Sequence, residues 1–478
     1  MQLSMSEGVI IDSLVPARLD RMPWSRWHWL IVTSLGATWI LDGLEVTLAG
    51  SLAGILTRRE TLGLSESMVG ATATCYLAGA VVGALLFGYG TDRFGRKKLF
   101  FITVAVYLIG TALSACSWNF ASYAIFRAIT GAGIGGEYAA INSAIDELIP
   151  ARVRGRVDLI INGSYWIGAA LGSGATVFLL NPRYFSITLG WRLAFAIGAT
   201  LGLTVIFFRR WIPESPRWLM IHGRNEEAEA IVNQVEARLG VVGNGDLLPV
   251  RIETRTHTPW KQIWEAVAHR HRRHSALGFV LMTTQAFFYN AIFFTYGLVL
   301  MRFYDVPEEN IGAYLLPFAA GNFFGPLLLG HLFDTVGRKR MIAVTYALSG
   351  ILLALTAWLF RAGLLDARTQ TITWAIIFFV ASSAASSAYL TISEIFPLEI
   401  RAFAIAIFYA LGTLVGGVFA PWLFGGIIGS GSLNALLGGY LIAAALMVAG
   451  GIVELWIGVP AERRSLEHIA APLSSRDR

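Results

Sequence analysis

The chain has 478 residues, 55% of them hydrophobic and only 14% charged, with a mean hydropathy of +0.60. A soluble globular chain carries about a quarter charged residues, so this composition excludes that class and points to a bilayer. The net charge of +6 would suit nucleic acid, but the bases sit in short loops between apolar segments, where they set orientation; no nucleic-acid partner is expected.

Residues 1–26 contain Asp12, Arg18, Asp20 and Arg21, show no cleavable signal pattern, and read as a cytoplasmic tail. A membrane helix needs about 20 mostly apolar residues. Twelve stretches meet that: 27–52, 66–90, 98–117, 119–142, 157–180 and 191–211, then 275–301, 310–331, 341–361, 371–394, 402–427 and 434–458. Residues 27–211 therefore form one six-helix bundle and 275–458 a second. Between them, 212–274 turns polar, with helical runs over 225–239 and 260–269 and too few apolar positions for an independent core. Residues 459–478 form a second cytoplasmic tail. Cys75 and Cys116 lie in apolar segments as packing residues, with no disulfide framework or metal-type cluster.

The stretch Gly88-Tyr89-Gly90-Thr91-Asp92-Arg93-Phe94-Gly95-Arg96-Lys97-Lys98 puts three glycines, an acid and four bases where the second stretch meets the third, as a tight turn. It recurs as Gly330-His331-Leu332-Phe333-Asp334-Thr335-Val336-Gly337-Arg338-Lys339-Arg340. A second repeat follows stretches four and ten, Glu147 to Arg154 and Glu394 to Arg401, each with a proline three after the acid. Two related halves in a membrane indicate a transporter. Loops on the motif side carry more arginine and lysine than the opposite loops, which makes that side, the linker and both termini cytoplasmic. The network of Asp92, Arg93, Arg96, Glu147, Arg154 and Glu214 in the first half, with Asp334, Arg338, Glu394 and Arg401 in the second, reads as a cytoplasmic gate.

Ionisable groups inside a membrane are costly and usually functional. The first half offers Asp42, Glu45, Arg127 and Glu137 for proton coupling; the second half offers none in mid-membrane, and the eight histidines lie in tails, linker or span ends. Asp42 and Glu45 share a helix face, and at 1.5 Å per residue Asp42 and Arg127 match in depth. Their pairing would hold the aspartate ionised until a proton arrives. Tyr138, Asn162, Tyr165, Gln285, Tyr289, Asn290 and Tyr389 are polar mid-span groups suited to substrate, with Arg127 as an anion partner. Gly131, Gly133, Gly135 and Gly136 allow close helix approach. No nucleotide-binding glycine loop, cofactor motif or nucleophile–base constellation is visible.

The motif pairs at 92–97 and 334–339, the run Arg127 to Glu137, Pro213-Glu214-Ser215-Pro216-Arg217-Trp218-Leu219 and Ser465-Leu466-Glu467 resemble the major facilitator superfamily, in particular its sugar-porter branch. The resemblance implies an all-α membrane fold of twelve helices in two bundles and an Asp–Arg pair between helices one and four. Departures exist. Phe288 and Ser386, Ser387 and Tyr389 stand where the hexose pattern has glycine, Gly-Pro and tryptophan, and Asn162 stands at a fifth-helix glutamine position. Asp42-Gly43-Leu44-Glu45 is more similar to the first helix of aromatic-acid:proton symporters. The expectation is a monomeric, multi-pass protein of a bacterial inner membrane that symports a small organic or aromatic carboxylate with protons by alternating access. A sugar or polyol symporter or facilitator is the alternative, and a non-transporting solute receptor the second.

Overall fold

The computed structural model describes residues 9–181, 183–241, 247–255, 257–293, 295–307 and 311–475. Among them, ten helices are long and apolar enough to cross a membrane. They are span one (Arg26–Ser51), span two (Glu66–Phe94), span three (Arg96–Ala115), span six (Ile187–Arg209), span seven (Arg272–Phe293), span eight (Ile311–Thr335), span nine (Arg338–Arg361), span ten (Ala367–Ile395), span eleven (Arg401–Gly429) and span twelve (Leu433–Ile457). Two more complete the set of twelve. Span four (Phe120–Leu148) is buried almost throughout its second half, and span five runs as Arg154–Gly163 and Tyr165–Leu179 with a break at Ser164. Span five is divided by the break into pieces of 10 and 15 residues, each too short to cross alone.

Small residues set the helix spacing in the first half. A Cβ on Gly131 or Gly135 would lie 2.1 or 2.0 Å from the carbonyl oxygens of Tyr76 and Ala80 on span two, and one on Gly133 2.5 Å from the Tyr107 nitrogen on span three. Only a bare backbone permits such approach.

The loop motifs are tighter than the sequence pattern suggests. Helix continues through Asp92 and Arg93 to Phe94, and the chain turns at Gly95 alone (φ 101°) before Arg96 opens span three. Gly337 (φ 116°) does the same between spans eight and nine. A side chain at Gly95 would be strained by φ and would strike the Glu214 carboxylate.

The linker carries the helices Pro216–Ile221, Asn225–Leu239 and Trp260–Glu265. The N-terminal segment is joined to it rather than free. Strand Ile10–Ser13 pairs antiparallel with Val250–Glu253, and helix Val15–Arg21 packs Val15 and Leu19 against Trp218, Leu219, Val232 and Val235. Arg18 is ion-paired to Glu229 and Glu236, and Arg21 to Glu236 at 2.7 Å. Together these elements make a small cap on the motif side of both bundles. Leu398 from the loop between spans ten and eleven belongs to its core, and Arg217 reaches Glu467 of the C-terminal segment at 2.9 Å.

Candidate transport site

A cavity of about 240 Å³ lies between the two bundles. Every mid-span polar residue expected from the sequence lines it except Arg127: Tyr138, Asn162 and Tyr165 from the first half, Gln285, Tyr289, Asn290 and Tyr389 from the second. Trp39, Tyr76, Trp166, Tyr409, Ser382 and Ser386 complete much of the wall, and sequence reasoning missed them. Aromatic residues pack and line with the same helical spacing, so no periodicity marks the difference. Trp39 stacks on Tyr138 with ring centroids 4.7 Å apart, and Tyr138 meets Tyr409 edge-on at 4.9 Å. This ring cluster joins the two halves. No charged side chain lines the cavity among the described residues. Tyr289 donates to Asn322 at 2.6 Å. Among the described residues the Gln285 amide has only the Met282 sulfur, at 3.8 Å, as an acceptor.

Beside the cavity, within the first half, lie the buried charges. The expected Asp42–Arg127 pair does not form. Arg127 is ion-paired to Glu45, one helical turn nearer the far side, and lies over the Tyr76 ring at 4.6 Å. The matching of depths was too coarse to separate two acids three residues apart. Arg127 therefore stands behind Tyr76, outside the cavity wall. Glu137 is ion-paired to Arg209, which also donates to Thr38 at 2.7 Å and to the Phe100 carbonyl at 3.0 Å. Arg209 is the last residue of span six. Although it stands at a span end, Arg209 is only 1% exposed. Asp42 is fully buried, and neither of its oxygens has a hydrogen-bond partner among the described residues. The charges acting on it are Arg209 and Glu45.

On the motif side the halves are clamped by two mirror-related networks. In the first, Arg96 binds Glu147 at 2.7 Å and Asp92 at 3.2 Å, and Arg401 from the other half reaches Glu147 at 3.4 Å. In the second, Arg338 binds Asp334 at 2.7 Å and Glu394 at 3.0 Å, and Arg154 from the other half reaches Glu394 at 3.5 Å. Asp92 accepts the backbone N–H groups of Ala402 and Phe403 (3.2 and 2.8 Å), at the start of span eleven. Asp334 accepts those of Gly155 and Arg156 (3.1 and 2.8 Å), at the start of span five. Each acid thus sits at the positive end of a helix from the opposite bundle. Two expected members stand apart. Arg93 is exposed and lies against its neighbour Phe94. Glu214 accepts the N–H groups of Arg96 (2.8 Å) and Lys97 (3.3 Å) and so caps span three within its own half; burial raises its carboxyl above the usual range despite those bonds.

Two six-helix bundles, a shared cavity between them and a mirrored clamp on one side define a membrane transporter of the major facilitator type. The pattern for sugar (and other) transporters matches residues 45–472, and the chain belongs to that family. Among similar proteins, the niacin transporter NiaP of Acinetobacter baylyi is 26% identical over 407 residues, covering 85% of this chain and 88% of the relative. Myo-inositol transporter 2 of Schizosaccharomyces pombe is 26% identical over 406 residues, 79% and 70% of the two chains. The solved proton:xylose symporter XylE, bound to 6-bromo-6-deoxy-D-glucose, shares the fold with a TM-score of 0.77 at 21% identity, covering 93% of this chain and 98% of that one. Its inward-open form matches less closely, at 0.65. The family is one of transporters, not enzymes, and the protein is a multi-pass integral membrane protein.

Proposed function

We propose that the protein symports a small aromatic carboxylate with protons across a bacterial inner membrane, with the motif side and both termini cytoplasmic. The observation that carries this reading is the cavity wall. It is built from tyrosine and tryptophan faces with amide and hydroxyl groups between them, a lining that takes one planar ring and a few polar substituents. About 240 Å³ is room for a single-ring molecule. Niacin, the substrate named for one relative, is such a ring bearing one carboxylate.

With no cation in the wall, the carboxylate takes neutral donors, the Gln285 amide and the tyrosine and serine hydroxyls. Arg127 serves coupling rather than substrate. Asp42 is the proton site. Glu45 and Glu137 each hold an arginine, whereas Asp42 has both oxygens buried without a donor; a bare carboxylate so placed is costly, and a protonated one is not. When the proton leaves, Asp42 competes with Glu137 for Arg209 and with Glu45 as a second anion, and the span one contacts rearrange. Carrying the neutralised site through the low-dielectric region costs far less than carrying the charge. The clamp is formed, so the cavity is shut on the motif side, and on this reading substrate enters from the far side.

Purified protein in proteoliposomes tests this. Nicotinate or 4-hydroxybenzoate should accumulate under an inward proton gradient. Asp42→Asn, which imitates the protonated form, should abolish accumulation while retaining counterflow. Uptake of a polyol or hexose with none of any aromatic carboxylate would overturn the substrate class. Accumulation by Asp42→Asn at the wild-type level would move coupling to Glu45 or Glu137.

A further inference from the structure

Between the cavity floor and the clamp lies a group of buried polar side chains that neither the substrate site nor the ion pairs employ. Asp146 on span four and Asp158 on span five are both fully buried. One oxygen of Asp146 accepts the Ser393 hydroxyl of span ten, from the opposite half; the other has no partner. One oxygen of Asp158 accepts the Asn162 amide at 3.1 Å; the other has no partner. The Asn162 amide also approaches the Asn142 Oδ1 at 3.3 Å, and the Asn162 Oδ1 is likewise an unpartnered acceptor. Asn162 lines the cavity, so the group touches substrate space on one side and the bundle interface on the other.

Charge does not balance there. Among the described residues no arginine or lysine forms an ion pair with either aspartate. The nearest cations are engaged: Arg338 and Arg154 on Glu394, Arg401 on Glu147. The charged groups facing the pair are Glu394 of span ten, Arg338 of span nine and Arg154 and Arg401 at the starts of spans five and eleven; Asp334 of span eight is turned to the Gly155 and Arg156 backbone. Span one has its two acids, Asp42 and Glu45, in the cluster beside the cavity. Asp146 is the strongest charge acting on Asp158, and it is another acid. Two ionised carboxylates without a cation, in full burial, would each carry a large desolvation penalty and repel one another. An O–H on one of them removes a charge and supplies the missing donor for an orphaned acceptor.

We propose that Asp146 and Asp158 together hold one proton while the motif side is closed and release it when spans five and ten part, making a second proton site distinct from Asp42. The proton returns to water on the motif side, because opening breaks the Ser393–Asp146 bond and admits solvent to both carboxyl groups. With Asn162 shared between this site and the cavity, the bound ring and the gate proton sense one another through one amide. The inference rests on the alternating-access reading above and adds a titrating element to its gate.

Spin labels placed by Lys98→Cys and Arg340→Cys, exposed residues on the motif side of the two halves, with Cys75→Ser and Cys116→Ser, read the opening directly. In substrate-free protein the open population should rise with pH between about 5.5 and 8, by up to about tenfold per unit for a single released proton. His271, at the head of span seven, is held at about 4 by burial and stays neutral across this window. Asp158→Asn should hold the short distance at both ends of the range, and Asp146→Asn should do the same should the first variant fail to fold. Asp42→Asn should lose accumulation yet keep the pH response. A pH-independent wild-type distance overturns the inference, as do aspartate variants that track wild type. Loss of the response in Asp42→Asn alone assigns the proton to Asp42, removes the second site and leaves the proposed function standing.

Discussion

The two halves agree closely at the motif side and differ in the membrane interior. At the clamp, Asp92, Arg96, Glu147 and Arg401 have exact counterparts in Asp334, Arg338, Glu394 and Arg154, down to the backbone N–H groups each aspartate accepts. In the interior, the first half buries Asp42, Glu45, Arg127, Glu137 and Arg209, whereas the second half presents Gln285, Tyr289, Asn290 and Tyr389 to the cavity. The difference has a physical logic. A clamp must hold each bundle by the other, so its two copies stay alike. Titrating chemistry needs no mirrored copy in the other half, which would only add buried charge. The first half carries the buried charge beside the cavity and both halves line it, with the Trp39, Tyr138, Tyr389 and Tyr409 rings joining them.

The largest effect follows from breaking the interior of the first half. Arg209→Met leaves Glu137 without its partner and Asp42 without its nearest cation. Stranding a buried charge costs about 3–5 kcal/mol, so the thermal midpoint of the purified protein should fall steeply. Adding Glu137→Gln removes the stranded charge and should restore most of the loss. A single variant as stable as wild type would show that the pair is solvated and that Arg209 is only an anchor.

The mirrored clamp gives a smaller and sharper test. Asp92→Asn and Asp334→Asn keep shape and lose charge at two helix starts. Hydrogen bonds to charged groups are worth about 1.5–3 kcal/mol, so each variant should raise the motif-side open population about tenfold or more, read by the same spin-label pair. The two variants should agree within a factor of about three. A large inequality would mean that one network closes the gate and the other follows.

How much of this was legible in sequence tracks the range of the interaction. The motif-side ion-pair network, apart from Arg93 and Glu214, was legible because it is a repeat: Gly95 and Gly337, Glu147 and Glu394 announce themselves by spacing. Seven cavity residues were legible as polar groups in mid-span. Partner choice was not. Glu45 rather than Asp42 holds Arg127 because of one helical turn, less than the error of counting residues from a span end. Arg209 was hidden because an arginine at a span end ordinarily snorkels outward, and only the fold turns it toward Glu137, 72 residues away. Asp146 and Asp158 stand at or just past span ends in sequence, and only the fold brings both into one buried group. The tail–linker sheet pairs Ile10 with Glu253, and four-residue strands carry no periodicity that specifies so distant a partner.

The cap has no counterpart in either half, and it should be the part most sensitive to acid. His222 ends the helix Pro216–Ile221, stacks on Trp218 with centroids 4.0 Å apart, and is pushed down to about 4 by burial. The ordinary histidine value lies near 6.5. The folded cap thus keeps the ring neutral where the unfolded segment would bind a proton. Its contribution is fully present above pH about 6.5 and is lost as pH falls through about 4. Discounted for the ring's remaining exposure, the loss is about 1–2 kcal/mol, smaller than either effect above. Trp218 also donates to the Asp92 carbonyl at 2.7 Å, so loosening of the cap should reach the first clamp network before the second. Hydrogen exchange over residues 216–239 should therefore accelerate between pH 6.5 and 4, beyond the intrinsic pH dependence of exchange and ahead of the spans. His222→Gln should flatten that excess while leaving the contribution of His271 at the head of span seven. An unchanged acid profile in His222→Gln would place the sensitivity in the carboxylate–arginine contacts of Arg18 and Arg217, where the cap would loosen by losing its ion pairs instead.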